Sequence, residues 1–233
     1  MALAVGTTNS TSNSALAAAS SLTISVTTSG SDRLIFCTAN SGASGGAQAV
    51  DVCTYKDVYL GLVWTKDDAT FMSSEGWSLP SNSIATEPAT GANNLVVSWD
   101  TAAQATAGGT PFSGAHQTTP LGTAITASGT STAPAVNSIG SATDEIVIAG
   151  IATDSGPALT EGGTLLWEVE ALLGDTSHGA QRYAGAASVN ATWTTQNESY
   201  GAGGVSIKPA AAGGVGPVTP IMGMIGNLLY IQV

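Results

Sequence analysis

The sequence predicts an all-β fold, an antiparallel β-sandwich, on three observations. Asp144-Glu-Ile-Val-Ile-Ala-Gly-Ile-Ala-Thr-Asp154 crowds β-branched residues at its centre and carboxylates at both ends, which marks a core strand. The rest of the chain repeats that grammar, with short β-branched or aromatic runs separated by Gly, Ser, Thr, Asn and Pro. Nowhere do apolar residues recur at three-to-four spacing over three turns, so helix is expected to be nearly absent.

Length and charge bound the reading. A chain of 233 residues can hold one large sandwich with a substantial core. Five Lys+Arg against sixteen Asp+Glu give a formal net charge of -11, which repels phosphate backbones and anionic membranes. Neither nucleic acid nor membrane is expected as a partner. Only 9% of residues are charged while 43% are hydrophobic, so Ser, Thr, Asn, Gln and backbone must cover much of the surface. The first basic residue is Arg33, far too late for the positive start of an export peptide, and no run of about 18 apolar residues exists. Synthesis in a host cytoplasm without export is the expectation.

Taken in order, residues 1–20 are small and polar and form an N-terminal arm or edge strand. Leu22-Thr-Ile-Ser-Val-Thr-Thr28 alternates, placing Leu22, Ile24 and Val26 on one face of a half-buried strand. Ser29 to Asp32 turns into the strand Arg33 to Asn40, and Val50 to Tyr55 is expected to return antiparallel to it. Lys56-Asp57 is a turn, Val58 to Trp64 a strand, Thr65 to Thr70 a polar loop, and Phe71 to Leu79 a strand around Trp77. A loop from Ser81 to Gly91 leads to the strand Asn94 to Trp99; Thr101 to Gly109 is small and polar and is expected to build no core. Gly and Pro then dominate as far as Pro134. Strands follow at Asp144 to Asp154, Thr164 to Glu170, Ala180 to Ser188, Val189 to Thr194 and Tyr200 to Lys208.

Candidate chemistry is sparse. If the hairpin after Asn40 is centred on Gly45, Cys37 and Cys53 fall opposite one another. A disulfide there would add roughly 3 kcal/mol by loop closure; two buried thiols filling core space are the alternative. Gly42-Ala-Ser-Gly-Gly46 fits the nucleophile-elbow pattern, but a strand follows it where a helix is required. His116 and His178 are placed in loops, and Glu168 with Glu170 on an exposed strand face that could flank a sugar or bind calcium. Trp64, Trp77, Trp99, Trp167 and Trp193 sit in predicted strands and are assigned to the core, not to a sugar-stacking platform. Asn190-Ala-Thr192 and Asn197-Glu-Ser199 fit the glycosylation sequon. No catalytic residue, metal ligand or cofactor is assigned.

Several of these pieces occur together and in order. Arg33-Leu-Ile-Phe, Trp77-Ser-Leu-Pro80, Val96-Val-Ser-Trp99, Phe112-Ser-Gly-Ala-His-Gln-Thr-Thr-Pro120, Asp144-Glu-Ile-Val-Ile and Gly204-Val-Ser-Ile-Lys-Pro209 resemble an uncharacterised jelly-roll-type β-sandwich module. That module recurs in bacteriophage structural proteins and microbial surface proteins. The resemblance covers residues 20 to 209, departs at Ala115-His116, and brings no catalytic residues. It implies a sandwich domain over 21–209.

Beyond it, 210–233 reads as a linker and an apolar C-terminal arm. Ile221, Met222, Met224, Ile225, Leu228, Leu229, Tyr230, Ile231 and Val233 form a stretch with no charged side chain. Such a segment needs cover, from a subunit or partner interface or from its own sandwich as a last strand. Together these features lead to the expectation of a non-enzymatic virion protein. It would decorate a phage capsid as a homo-oligomer, in contact with virion proteins such as a major capsid protein. The alternatives are a glycan-binding receptor-recognition or adhesin domain and an extracellular filament subunit that donates its C-terminal strand.

Overall fold

The computed structural model describes residues 2–12, 19–42, 48–68, 72–154, 158–172 and 176–211, with backbone only for residues 19, 102–103 and 171–172. All regular structure in this range is β-strand, and every pairing is antiparallel. The first half contains β1 (Ala4–Val5), β2 (Asn9–Ser12), β3 (Ala19–Thr28), β4 (Leu34–Gly42), β5 (Val50–Tyr55), β6 (Val58–Tyr59), β7 (Gly61–Asp67), β8 (Ser73–Leu79) and β9 (Gly91–Ser113). The second contains β10 (Ile125–Ser131), β11 (Ala135–Ile139), β12 (Ile146–Thr153), β13 (Thr160–Glu161), β14 (Thr164–Leu172), β15 (Thr176–Ala184), β16 (Val189–Thr194) and β17 (Glu198–Ile207).

In place of the expected two-sheet sandwich there are four packed layers. The 23-residue β9 belongs to two of them. Its N-terminal part pairs with β3 and β5, and its C-terminal part with β4, β2 and β1. One nine-stranded sheet is thereby folded into a first layer, β6-β5-β9-β3, and a second, β7-β8-β4-β9 with β1 and β2 beyond. A third layer runs β10-β17-β12-β15-β14 and a fourth β11-β16-β13.

Three cores separate the four layers. Leu22, Ile24, Val26, Cys53, Tyr55, Leu95 and Val97 of the first layer meet Ile35, Cys37, Ala39, Leu79, Ala105 and Ala107 of the second. Phe36, Trp64 and Phe112 of the second layer meet Ile148, Val205 and Ile207 of the third. Val147, Ala149, Ile151 and Ala202 of the third meet Val136, Ile139, Val189, Ala191 and Trp193 of the fourth. The outer strand β3 keeps the expected alternation, with Leu22, Ile24 and Val26 inward. Strand β12 is the core strand that its sequence announces, buried at every position after Ile146.

Middle strands are covered on both faces, which requires small residues where two layers approach closely. Trp64 lies over Gly76 of its own layer and Gly203 of the third, stacked on Phe36 at 5.3 Å between ring centroids. Trp167 of β14 lies over Gly108 of β9 and donates its indole N–H to Thr38 Oγ1 at 2.9 Å. Residues 104–109 are therefore central to the packing, contrary to the expectation that Thr101 to Gly109 builds no core: Ala105, Thr106 and Ala107 are fully buried.

Other expectations also change. Strand β5 pairs with β9 and β6, not with β4, because β9 lies between β4 and β5 in the sheet. The polar residues Thr65 to Asp67 extend β7, β10 occupies part of the Gly- and Pro-rich stretch, and β11 follows it where no strand was assigned. Lys56 and Asp57 do form a turn, both with positive φ.

A Cβ at Gly203 would lie 2.3 Å from Trp64 Cδ1, and one at Gly108 would lie 2.0 Å from Trp167 Nε1. Gly203→Ala and Gly108→Ala are each expected to destabilise the chain by about 1–3 kcal/mol through overpacking. Gly140→Ala, where nothing lies within 4 Å, should be near neutral. Urea unfolding of the three variants measures the difference.

Candidate functional site

Two polar clusters lie inside the stack, on opposite faces of the second layer. Side chains alternate along its strands. Residues 37, 39, 75, 77, 105 and 107 face the first layer, whereas 38, 40, 74, 76, 106 and 108 face the third.

The cluster toward the first layer is built on Glu75 of β8, which is 2% exposed. Its Oε1 accepts the Val50 N–H at 3.0 Å and its Oε2 accepts the Trp77 indole N–H at 2.9 Å. Burial raises its pKa to about 7, against the lowering effect of those two hydrogen bonds, with a smaller rise from Asp67. Beside it, the Cys53 thiol is within hydrogen-bonding reach of Cys37 and is pushed well above the usual thiol range, by burial first, then by Cys37 and by the Glu75 charge. Both cysteines are buried and free. They meet across the interface between layers, not across the hairpin that the sequence suggests.

The cluster toward the third layer contains Asn40 of β4, Ser74 of β8 and Thr106 of β9. Asn40 stands directly opposite both Ser74 and Thr106 in the strand register, so the three side chains share one row. His178 of β15 meets this row from the third layer, with Nδ1 2.8 Å from Thr106 Oγ1. The expectation of a loop for His178 is thus corrected: it sits mid-strand at 0% exposure, and burial lowers its pKa to about 3. The Asn40 amide, the Ser74 hydroxyl and His178 Nε2 have no hydrogen-bond partner within the protein.

His116 does lie in a loop, where Nδ1 accepts the backbone N–H groups of Thr118 and Thr119. Glu168 accepts the Leu159 N–H at 2.7 Å and is grouped with Glu170 and with Glu161, which the sequence reading did not single out. Burial raises the pKa values of Glu161 and Glu168 above the ordinary range. Among the described residues, no group of three or more His, Cys, Asp or Glu is arranged to hold a metal ion. Trp64, Trp99, Trp167 and Trp193 are at most 5% exposed, and Trp77 packs against the first core. Asn190 and Asn197 are both exposed. Residues 43–46 of the elbow-like motif and the whole stretch from Ile221 to Val233 lie outside the described residues.

Glu75 and His178 pull stability in opposite directions as pH changes. Between pH 4.5 and about 7 the folded chain holds a proton on Glu75 that the unfolded chain has lost, so raising pH through this window lowers stability, by up to about 3 kcal/mol. Between pH 6.5 and about 3 the unfolded chain protonates His178 and the folded chain does not, so lowering pH through that window lowers stability. The two effects offset one another between pH 4.5 and 6.5. In Glu75→Gln, stability should fall more steeply as pH drops from 6.5 than in the parent chain. Urea midpoints across pH 3.5 to 8 check it; parallel profiles for the two chains would contradict the assignment.

Compared with protein-family models, with curated proteins and with solved structures, the chain has no match.

Proposed function

We propose that the chain is a non-enzymatic structural protein of a phage particle, a capsid decoration or cement protein that acts as a homo-oligomer through arm-mediated contacts. In this reading residues 21–209 are the jelly-roll-type sandwich body, residues 1–20 are an N-terminal arm or edge strand, of which β1 and β2 pair with β9, and residues 210–233 are the linker and C-terminal arm. The observation that carries it is how the apolar residues are distributed. Four of the five tryptophans are interior, whereas among the described residues the exposed large apolar side chains lie on short or edge strands: Tyr59 is 65% exposed, Leu62 51% and Leu165 48%. Edge strands with outward apolar residues suit contacts between copies or with a particle surface. The acidic, sparsely charged composition and the uncharged apolar sequence from Ile221 to Val233 support the same reading. A glycan-binding role would need an exposed aromatic platform, and the interior tryptophans do not supply one.

A chain ending at Ala210 tests the arm. It keeps the described core, whose buried apolar residues span Leu22 to Ile207. It should therefore fold with unchanged thermal stability yet lose oligomerisation or particle binding. Leu229→Asp should act in the same way, because a buried unpaired charge costs several kcal/mol. Light scattering and thermal unfolding distinguish the outcomes: a truncated chain that unfolds makes the tail an intramolecular strand, and one unchanged in both makes it a passive extension. Mass spectrometry of purified particles tests the virion assignment, which fails if they lack the chain.

A further inference from the structure

The row formed by Asn40, Ser74, Thr106 and His178 has the composition of a reaction centre and no solvent access. Thr106 offers a hydroxyl already hydrogen-bonded to an imidazole. Asn40, on the neighbouring strand, offers a carboxamide with both polar atoms unengaged. Ser74, on the other side of Asn40, offers a hydroxyl that is also unengaged. All four side chains are at most 1% exposed. A buried amide, hydroxyl and imidazole nitrogen left without protein partners are costly in a folded core. Their concentration in one row calls for a purpose beyond packing.

We propose that this row is a self-processing site: the Thr106 hydroxyl attacks the Asn40 carboxamide, with His178 as base, to form an ester cross-link between β9 and β4 with release of ammonia. The bond from Thr106 Oγ1 to Asn40 Cγ forms and the Cγ–Nδ2 bond breaks. His178, with its own proton on Nε2, takes the Thr106 proton at Nδ1 and passes it to the departing Nδ2, which leaves as NH3. The balance is one hydroxyl and one primary amide giving one ester and one ammonia, with no oxidant or other co-reactant. The Ser74 hydroxyl donates to the oxyanion that develops on Oδ1.

Three features favour this chemistry. The strand register places nucleophile and electrophile on directly opposed residues, so the reaction is intramolecular and gains the advantage of fixed proximity. His178 Nδ1 already stands 2.8 Å from Thr106 Oγ1, in reach of the hydroxyl proton; burial makes it a weaker base than a free imidazole, so the reaction is slow, and makes a lasting imidazolium costly, so the proton moves on. The third layer covers the row: a Cβ at Gly150 would stand 3.2 Å from Thr38 and 3.6 Å from Ser74 Oγ, so the space above is closed and water that would hydrolyse an ester is excluded. Ammonia is small, and its dilution into solvent makes the step effectively one-way. The cross-link would tie the two central strands of the second layer together and is independent of the proposed virion role.

Mass spectrometry of the folded chain, denatured and treated with a thiol reductant, tests the idea directly. The expected mass is below the sequence mass by one ammonia, about 17 Da. Trypsin should then release fragments 34–56 and 67–182 joined to one another, although no peptide bond links them. Both cysteines lie within 34–56, so a disulfide cannot produce that product. Thr106→Val should show its full mass and separate fragments, and His178→Gln should form the cross-link far more slowly. A parent chain with its full mass after prolonged incubation overturns the proposal. So does a deficit that Thr106→Val retains, since Asn40 would then be closing onto its own backbone. The fragment pattern of the parent chain decides the matter even if a variant fails to fold.

Discussion

Close approach of the second and third layers is the constraint on which the rest of the structure depends. Two extended sheets pack face to face at roughly 10 Å only when their side chains interdigitate. Here Trp64 and Trp167 reach across the seam, beside Phe36, Phe112 and Ile148, and Gly76, Gly108 and Gly203 supply the room for the two indoles. Because this seam is tight, β4, β8, β12 and most of β17 are buried on both faces. Each then needs a second partner layer, and the first and fourth layers provide it. The long β9 follows from the same demand, since one strand that serves two layers ties the first to the second without a crossing loop.

That constraint also explains what was legible in the sequence. Alternation survives where one face meets solvent, so β3 could be read residue by residue, and so could the inward Val189, Ala191 and Trp193 of β16. It disappears where both faces are buried. Strand β12 stayed legible because its inward residues are β-branched, whereas the run from Ala105 to Gly109 and the run around His178 are small and polar and look like loops. Neither the β9 switch nor the insertion of β9 between β4 and β5 has a local signature. Both arise from packing between segments far apart in sequence, so the expected hairpin between β4 and β5 was the natural but wrong pairing.

The candidate sites were hidden for the same reason. Cys37 and Cys53 were visible as a pair, but their neighbour Glu75 reads in sequence as one more polar residue of Ser73-Ser-Glu-Gly-Trp77. Asn40, Ser74 and Thr106 acquire significance only through register, and His178 only through the third layer that carries it. Glu75 and His178 are both neutral over part of the range near pH 7, which lowers the cost of placing them inside. Among the described residues, by contrast, the exposed large apolar side chains lie near sheet edges, in a chain of which only 9% of residues are charged.

If the seam between the second and third layers governs the fold, residues 2–113 and 114–209 unfold as one unit although each contributes two layers. Native-state hydrogen exchange in increasing urea measures this most directly. The amides of β4 and β8 in the second layer and of β12 and β17 in the third should exchange through one global opening, with the same free energy and the same urea dependence. Two separate openings, one shared by β4 and β8 and another by β12 and β17, would contradict the account.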